Sequence, residues 1–305
     1  MVAYTDDPSR ARYVGADDPN EAARLNTQQA GVLDELRGAL ALHPIPAAPR
    51  ILELGCGSGV FTHALLTALP DATTLTATDR DPRLLDAARA ALHDDIRAGR
   101  LTLAQADAAA LPFSAQSFDL VACRCLLMHQ PDPLVVAAEM YRVLAVGGIA
   151  LAIEPDWGAR ALYPDAEALA ALLSLARRAR PFGFPDLLLG RQLFALLRAA
   201  GFAHIRIRPT AFAETADMLP ETATDAEAET DADTDADPGG ITGPGRLLDQ
   251  ARPLLRRTAL ATDDQIDALI ARLAAARRHP EYFSAGVDFA AVAVKPASRL
   301  PGGTV

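Results

Sequence analysis

Apolar and polar positions alternate in blocks along this chain. Between residues 19 and 42 the apolar residues Leu25, Val32, Leu33, Leu36 and Leu40 recur at helical spacing, which predicts a helix over Pro19–Leu42. A proline-rich link, His43–Pro49, then leads into a run that is apolar except for one carboxylate: Ile51, Leu52, Glu53, Leu54. Three glycines interrupt it (Gly55, Gly57, Gly59), and helical spacing resumes from about Val60 through Leu65, Leu66 and Leu69. Four more short apolar runs follow: Leu75–Thr78 ending at Asp79, Leu101–Gln105 ending near Asp107, Phe118–Cys123, and Ile149–Ile153 ending at Glu154-Pro155-Asp156. Helical stretches separate them, Arg83–Ala98 behind an Asp81-Pro82 cap and Pro133–Leu144 before the Gly147-Gly148 pair. Strand and helix alternating at this pace predict a parallel sheet covered by helices on both faces.

Beyond Ile153 the rhythm changes. Helices are expected over Asp165–Arg180 and Gly190–Ala200, and a sixth strand over Phe202–Arg208. Two further helical stretches, about Arg246–Ala259 and Thr262–Arg278, precede a seventh strand, Val287–Val294. If the sixth strand runs with the first five, the seventh returns antiparallel. The fold class is therefore α/β, a doubly wound, seven-stranded, mostly parallel sheet with its last strand antiparallel and a helical cap. The expected domains are an N-terminal helical cap segment (1–45), a core of 46–211 and 284–297 with a cap insertion at 157–185, and an insertion at 212–283.

Composition narrows the setting. The chain has 305 residues, 50% hydrophobic and 22% charged, ordinary for a globular protein with a full core. Its formal charge of −10 is concentrated: Glu221, Asp225, Glu227, Glu229, Asp231, Asp233, Asp235 and Asp237 fall in one stretch without a base. That stretch, within an expected disordered loop at 217–240, is rich in Ala, Thr and Asp and poor in large apolar residues. The remainder is nearly neutral, which speaks against nucleic acid as a partner. Three cysteines (Cys56, Cys123, Cys125) are too few for a disulfide framework. With no basic-apolar leader and no apolar run of membrane length, a cytoplasmic protein without membrane attachment is expected. No His/Cys/Asp/Glu spacing suggests a metal. Oligomeric state is open.

The polar groups that end the early strands share one edge of the expected sheet, where ligands of open α/β sheets bind. The pattern resembles the class I S-adenosylmethionine-dependent methyltransferases. L-E-L-G-C-G-S-G (52–59) is similar to their glycine-rich first motif, and A-T-D-R (77–80) to their ribose-binding acid. Q-A-D-A-A-A-L-P-F (105–113) is similar to their adenine segment, followed by F-D-L-V; L-L-M-H-Q-P-D-P (126–133) and V-L-A-V-G-G (143–148) carry the likeness through the fifth strand. A weaker likeness to the small-molecule, ubiquinone/menaquinone type runs through E-P-D-W and the closing V-A-V-K-P.

The resemblance implies a Rossmann-like fold and S-adenosylmethionine as cofactor. Glu53, Gly55, Cys56, Gly57 and the backbone of Arg124 would surround its methionine portion, Asp79 with Arg80 its ribose, and Asp107 with the N–H of Ala108 its adenine. A carboxylate accepts both hydroxyls of a ribose diol, which gives Asp79 its chemical reason. His129, just past the fourth strand, is the candidate general base. Tyr13, Glu154, Trp157, Tyr163, Phe182 and Phe184 are candidates for the wall of a small-molecule pocket, Asp156 being a weaker one. Arg252, Arg256 and Arg257 suit a solvated helix face. The expected reaction is in-line methyl transfer to a small-molecule hydroxyl, of a secondary metabolite or quinone-like compound. C-R-C-L (123–126) stands where enzymes that methylate adenine or glutamine amino groups carry [DN]-P-P-[YFW]. Two alternatives are an NAD(P)-dependent oxidoreductase and a non-catalytic cofactor-binding subunit. The third glycine of G-x-G-x-x-G would fall at Val60, which disfavours the oxidoreductase.

Overall fold

The computed structural model describes residues 31–70, 73–218 and 244–297. Seven strands form one sheet: β1 (Arg50–Leu54), β2 (Thr74–Asp79), β3 (Leu101–Gln105), β4 (Phe118–Arg124), β5 (Leu144–Tyr163), β6 (Ala203–Thr215) and β7 (Phe283–Val294). Their spatial order is β3-β2-β1-β4-β5-β7-β6. The first five are mutually parallel and β7 runs antiparallel to both its neighbours, so β6 points with the first five. The chain order reverses between β1 and β4, and there the carboxyl ends of the strands open a crevice.

Helices cover both faces. On one lie α1 (Val32–Leu40), α2 (Val60–Ala68), α3 (Pro82–Ala91) and α4 (His93–Arg97); their Leu36, Leu65 and Leu85 pack with Ile51 and Leu120. On the other lie α5 (Pro133–Val143), α6 (Ala166–Ala179), α7 (Leu193–Ala199), α8 (Pro244–Gln250), α9 (Arg252–Arg257) and α10 (Asp263–Arg277). There Met140, Leu172, Leu193, Leu248 and Ile266 join Leu52, Val121 and Trp157 in one core. Aspartates start the helices as their sequence suggests: Asp81 accepts the N–H of Arg83, Asp132 that of Leu134 and Asp165 that of Ala168.

Several boundaries differ from the sequence pattern. The helix expected over Arg83–Ala98 breaks at Leu92, and Gly190–Ala200 begins as a tight turn, Leu189–Gln192. The helical stretch after residue 244 is two short helices. The larger departure is that β5, β6 and β7 continue well past the others. β5 carries on through residues 157–163, expected after the strand, and re-pairs with β7 from Ala161↔Ala285 after an irregularity. β6 follows β7 as far as Thr215↔Phe283. This three-stranded extension rises beyond the edge at which β1, β2 and β4 stop. Tyr13, the residues before 31 over which the sequence predicts a helix and the whole acidic stretch from Glu221 to Asp237 lie outside the described residues. Among the described residues no helix is long and apolar enough to cross a membrane.

Candidate functional site

The register brings the carboxyl ends of three strands level. Leu54 is paired with Thr78 on one side and Cys123 on the other, so Gly55, Asp79 and Arg124 leave the sheet side by side. The glycine loop arcs over the end of β2. Cys56 donates its N–H to the Thr78 carbonyl (2.9 Å), and Gly57 donates to Oδ2 of Asp79 (2.9 Å). Gly55, Gly57 and Gly59 take φ of 68°, 55° and 96°, in the left-handed region that glycine enters without steric cost. Close leucine side chains favour glycine as well. A Cβ on Gly55 would lie 2.8 Å from Cδ1 of Leu126, and one on Gly59 2.7 Å from Cδ1 of Leu92. The first turn of α2 follows at once, with backbone N–H groups that no helical carbonyl can take.

Three acids border this loop. Glu53 is fully buried, and neither carboxylate oxygen makes a well-formed hydrogen bond, the Thr62 hydroxyl being its nearby polar neighbour. Burial pushes its pKa up to about 8; the buried Thr62 hydroxyl nearby offsets part of the rise and the charge of Asp79 adds to it. An orphaned carboxylate inside a protein is costly, and it is the group that a cationic ligand would complete. Asp79 is nearly buried, with Oδ1 accepting the N–H of Asp81 (2.9 Å) and Oδ2 that of Gly57. Burial raises its pKa and these two hydrogen bonds oppose the rise. Each oxygen keeps a further lone pair. Asp107 is exposed and closes a small turn, Oδ1 accepting the N–H of Ala109 (2.9 Å). Ala106 ties that turn to β2 by donating to the Asp79 carbonyl (3.1 Å), and Ala108 sits partly buried within it. Arg80 is exposed, its carbonyl accepting from the Gln105 amide. Glu53, Asp79 and Asp107 therefore stand along one edge.

On the other side of the loop the chain leaves β4 through an abrupt bend. Arg124 is buried, and its Nε lies 3.2 Å from Oε2 of Glu35 on α1. Cys125 takes φ 51°, unusual for a side chain with a Cβ, while its N–H is held by the Ile153 carbonyl (2.9 Å). The tight turn Leu127–His129 follows, with His129 partly buried. Three residues of the second half of the chain hold this turn and its flanks. Oε1 of Glu154 accepts the N–H groups of Leu126 (2.9 Å) and Leu127 (2.6 Å), Asp186 donates its N–H to the Met128 carbonyl (2.8 Å), and Nη2 of Arg180 donates to the Gln130 carbonyl (2.9 Å). Burial lifts the three thiols far from reactivity, Cys125 to about 12.

The residues expected to wall a substrate pocket do not share one surface. Glu154, Trp157 and Phe184 are fully buried, the last two in the core beneath α6. Glu154 spends its carboxylate on backbone rather than offering it to a cavity. Phe182 and Tyr163 are half exposed, at 52% and 51%, and the Tyr163 hydroxyl reaches Glu281. Asp156 is buried in a two-bond ion pair with Arg191. Arg252 lies among Asp249, Asp263 and Asp267, and Arg256 beside Asp263.

Glu35 and Asp288 escape sequence inspection. Both are buried and close enough to Arg124 for their charges to hold its guanidinium ionised against desolvation. A signal existed for Glu35: it is a carboxylate three residues after Val32 and next to Leu36, inside the apolar stripe of α1. Asp288 stands in a run of small apolar residues and offers the same clue. Among the described residues, no group of three or more His, Cys, Asp or Glu is placed to hold a metal ion.

Known proteins resemble this chain in sequence and fold. The family model described as a methyltransferase domain matches residues 52–152. Demethylmenaquinone methyltransferase of Roseiflexus castenholzii is 30% identical over 189 residues, 55% of this chain and 74% of that protein. Demethylmenaquinone methyltransferase of Lactococcus lactis subsp. lactis is 33% identical over 116 residues, 38% of this chain and 46% of that one. The chain spans about half the length of the first curated relatives it matches. A solved Bacillus halodurans structure, described as a methyltransferase, superposes with a TM-score of 0.55 at 17% identity, covering 87% of this chain and all of that one, a likeness of fold. Glycine loop, strand-end acids, sheet order and relatives converge: the chain belongs to the class I S-adenosylmethionine-dependent methyltransferases.

Proposed function

We propose that this chain transfers a methyl group from S-adenosylmethionine to a nucleophile, most simply a hydroxyl, on a small molecule such as a secondary metabolite or quinone-like compound. The observation that carries the reading is the unpartnered, fully buried carboxylate of Glu53 beside a loop built from left-handed glycines. Those residues fit an amino-acid-bearing nucleoside: Glu53 would meet its cationic group, the Gly55–Gly57 backbone would let its chain approach, and the remaining lone pairs of Asp79 would suit its diol. Asp107 and the Ala108 backbone would meet its planar base. Bound there, S-adenosylmethionine supplies a methyl carbon activated by its positively charged sulfur.

The chain's own part in the reaction is alignment and exclusion of water. The bend at Cys125 and the turn behind it carry Leu126 against Gly55, so the loop is closed from the β4 side. His129 in that turn is the residue to receive a proton from an acceptor hydroxyl. The layer of α6 and α8–α10, with α1 opposite, suits a lid around a small acceptor.

Calorimetry with S-adenosylmethionine and S-adenosylhomocysteine, with NAD as the comparison, tests the cofactor; binding of NAD alone refutes the reading. Mass spectrometry of a metabolite pool, looking for the gain of one methylene, identifies the acceptor. With that acceptor in hand, His129→Ala is expected to lower kcat about a hundredfold or more, the usual contribution of a positioned base; unchanged turnover removes it from that role.

A further inference from the structure

The bend after β4 is an unstable conformation held in place, and the groups that hold it are consecutive residues of β5. Cys125 at φ 51° lies in the left-handed region that a residue with a Cβ seldom occupies, and such residues persist only where their surroundings over-determine them. Ile153 takes the N–H of Cys125 through its carbonyl. The next residue, Glu154, takes the next two N–H groups through Oε1 and stands 3.4 Å from a third, that of Met128, through Oε2. One side chain thus gathers the N–H groups of Leu126, Leu127 and Met128, which begin a turn too short to satisfy them itself. The segment fastened in this way bears Leu126, which meets Gly55, and His129.

We infer that Glu154 is a positioning residue: it fastens the Leu126–His129 turn in the form that closes the methionine side of the cofactor cleft. It touches neither donor nor acceptor and acts through the backbone it grips. A carboxylate suits the task because each oxygen accepts more than one hydrogen bond and neither donates, whereas an apolar side chain would leave three buried N–H groups unmet. The inference deepens the function proposed above and rests on it for the meaning of the turn, although the fastening can be measured alone.

Hydrogen–deuterium exchange on the ligand-free protein gives that measurement, with S-adenosylhomocysteine calorimetry on the same samples. In Glu154→Ala the amides of Leu126, Leu127 and Met128 are expected to exchange about tenfold or more faster and the homocysteine compound to bind about tenfold or more weaker, while the β4 amides of Leu120–Cys123 stay protected. Glu154→Gln retains one acceptor oxygen for Leu126 and Leu127 and should keep their exchange and the ligand affinity within about threefold, while the Met128 amide, now facing an amide donor, exchanges faster. Glu154→Asp keeps the carboxyl group but withdraws it by one methylene. It is expected to behave like the alanine variant, and it carries the test if that variant does not fold. Unchanged exchange in the turn, or loss of protection in turn and β4 alike with ligand affinity retained, overturns the inference. Should the native protein bind neither S-adenosyl compound, the proposed function falls while the exchange results still decide whether Glu154 fastens the turn.

Discussion

The carboxylate of Asp79 and the backbone N–H of Gly57 meet at 2.9 Å, so the second strand of the sheet holds the shape of the loop that follows the first. The group that would grip a ribose is therefore also a clamp on the glycine turn.

Asp79→Ala should weaken S-adenosylhomocysteine binding by about 1–3 kcal/mol, the range for deleting a charged hydrogen-bond partner. Because Gly57 and Asp81 lose an acceptor as well, a modest fall in melting temperature should accompany it. Titration calorimetry and thermal unfolding check the two effects on one sample, and unchanged affinity removes Asp79 from the binding edge.

Glu53 links binding to pH. Its carboxyl titrates near 8 in the ligand-free fold against 4.5 for an unperturbed one. An acid whose pKa rises on folding stabilises the fold below its unfolded pKa and loses that contribution as pH climbs through the folded value. Stability without ligand should thus decline between about pH 4.5 and 8, and Glu53→Gln should flatten its share of the decline. A cationic ligand favours the ionised form, so binding below pH 8 releases a proton and tightens by up to about one log unit per pH unit. Calorimetry in buffers of different ionisation heat detects that proton in the native protein, and Glu53→Gln should abolish it.

The Glu35–Arg124 pair ties the N-terminal helix to the same edge, and both side chains are almost wholly buried. Glu35→Gln leaves the guanidinium without its nearest counter-charge, and breaking a buried pair from one side costs about 3–5 kcal/mol. The lower end is expected here, since Asp288 still faces Arg124. Urea unfolding measures the loss; an effect below about 1 kcal/mol would mean the pair behaves as a surface bridge.

Phe184 and Phe182 are two residues apart in sequence and opposite in setting. Phe184→Ala empties a fully enclosed site and should destabilise by about 3–5 kcal/mol. Phe182→Ala removes a half-exposed ring and should stay within about 0.5 kcal/mol. Equal effects would contradict their placement.

Strands β1, β2 and β4 are legible in sequence because a central strand, buried on both faces, reads as a short apolar run between turn residues, and the edge strand β3 is legible from its alternating apolar positions Leu101 and Leu103. The edge along which the acids stand is legible for a related reason: Glu53 and Asp79 are polar residues within or at the ends of such runs. Pocket walls were not legible. Trp157, Tyr163, Phe182 and Phe184 look alike as apolar rings, and nothing local says whether such a ring meets a cavity, a neighbouring helix or water. Glu35 and Glu154 were obscure in a different way, since their roles depend on partners 89 and 28 residues away.

By itself the sequence determined the alternation of strands and helices, the glycine loop and the acids along one edge, all of them consequences of local pattern and backbone sterics. Only the tertiary structure decided how far β5, β6 and β7 continue together, because that length is set by pairing between segments as much as 145 residues apart. It alone decided, too, that Glu53 stands without a partner and that Glu154 grips the turn after β4. A carboxylate's task is fixed by which backbone groups and charges surround it once water has been removed, and that enclosure exists only in the folded chain.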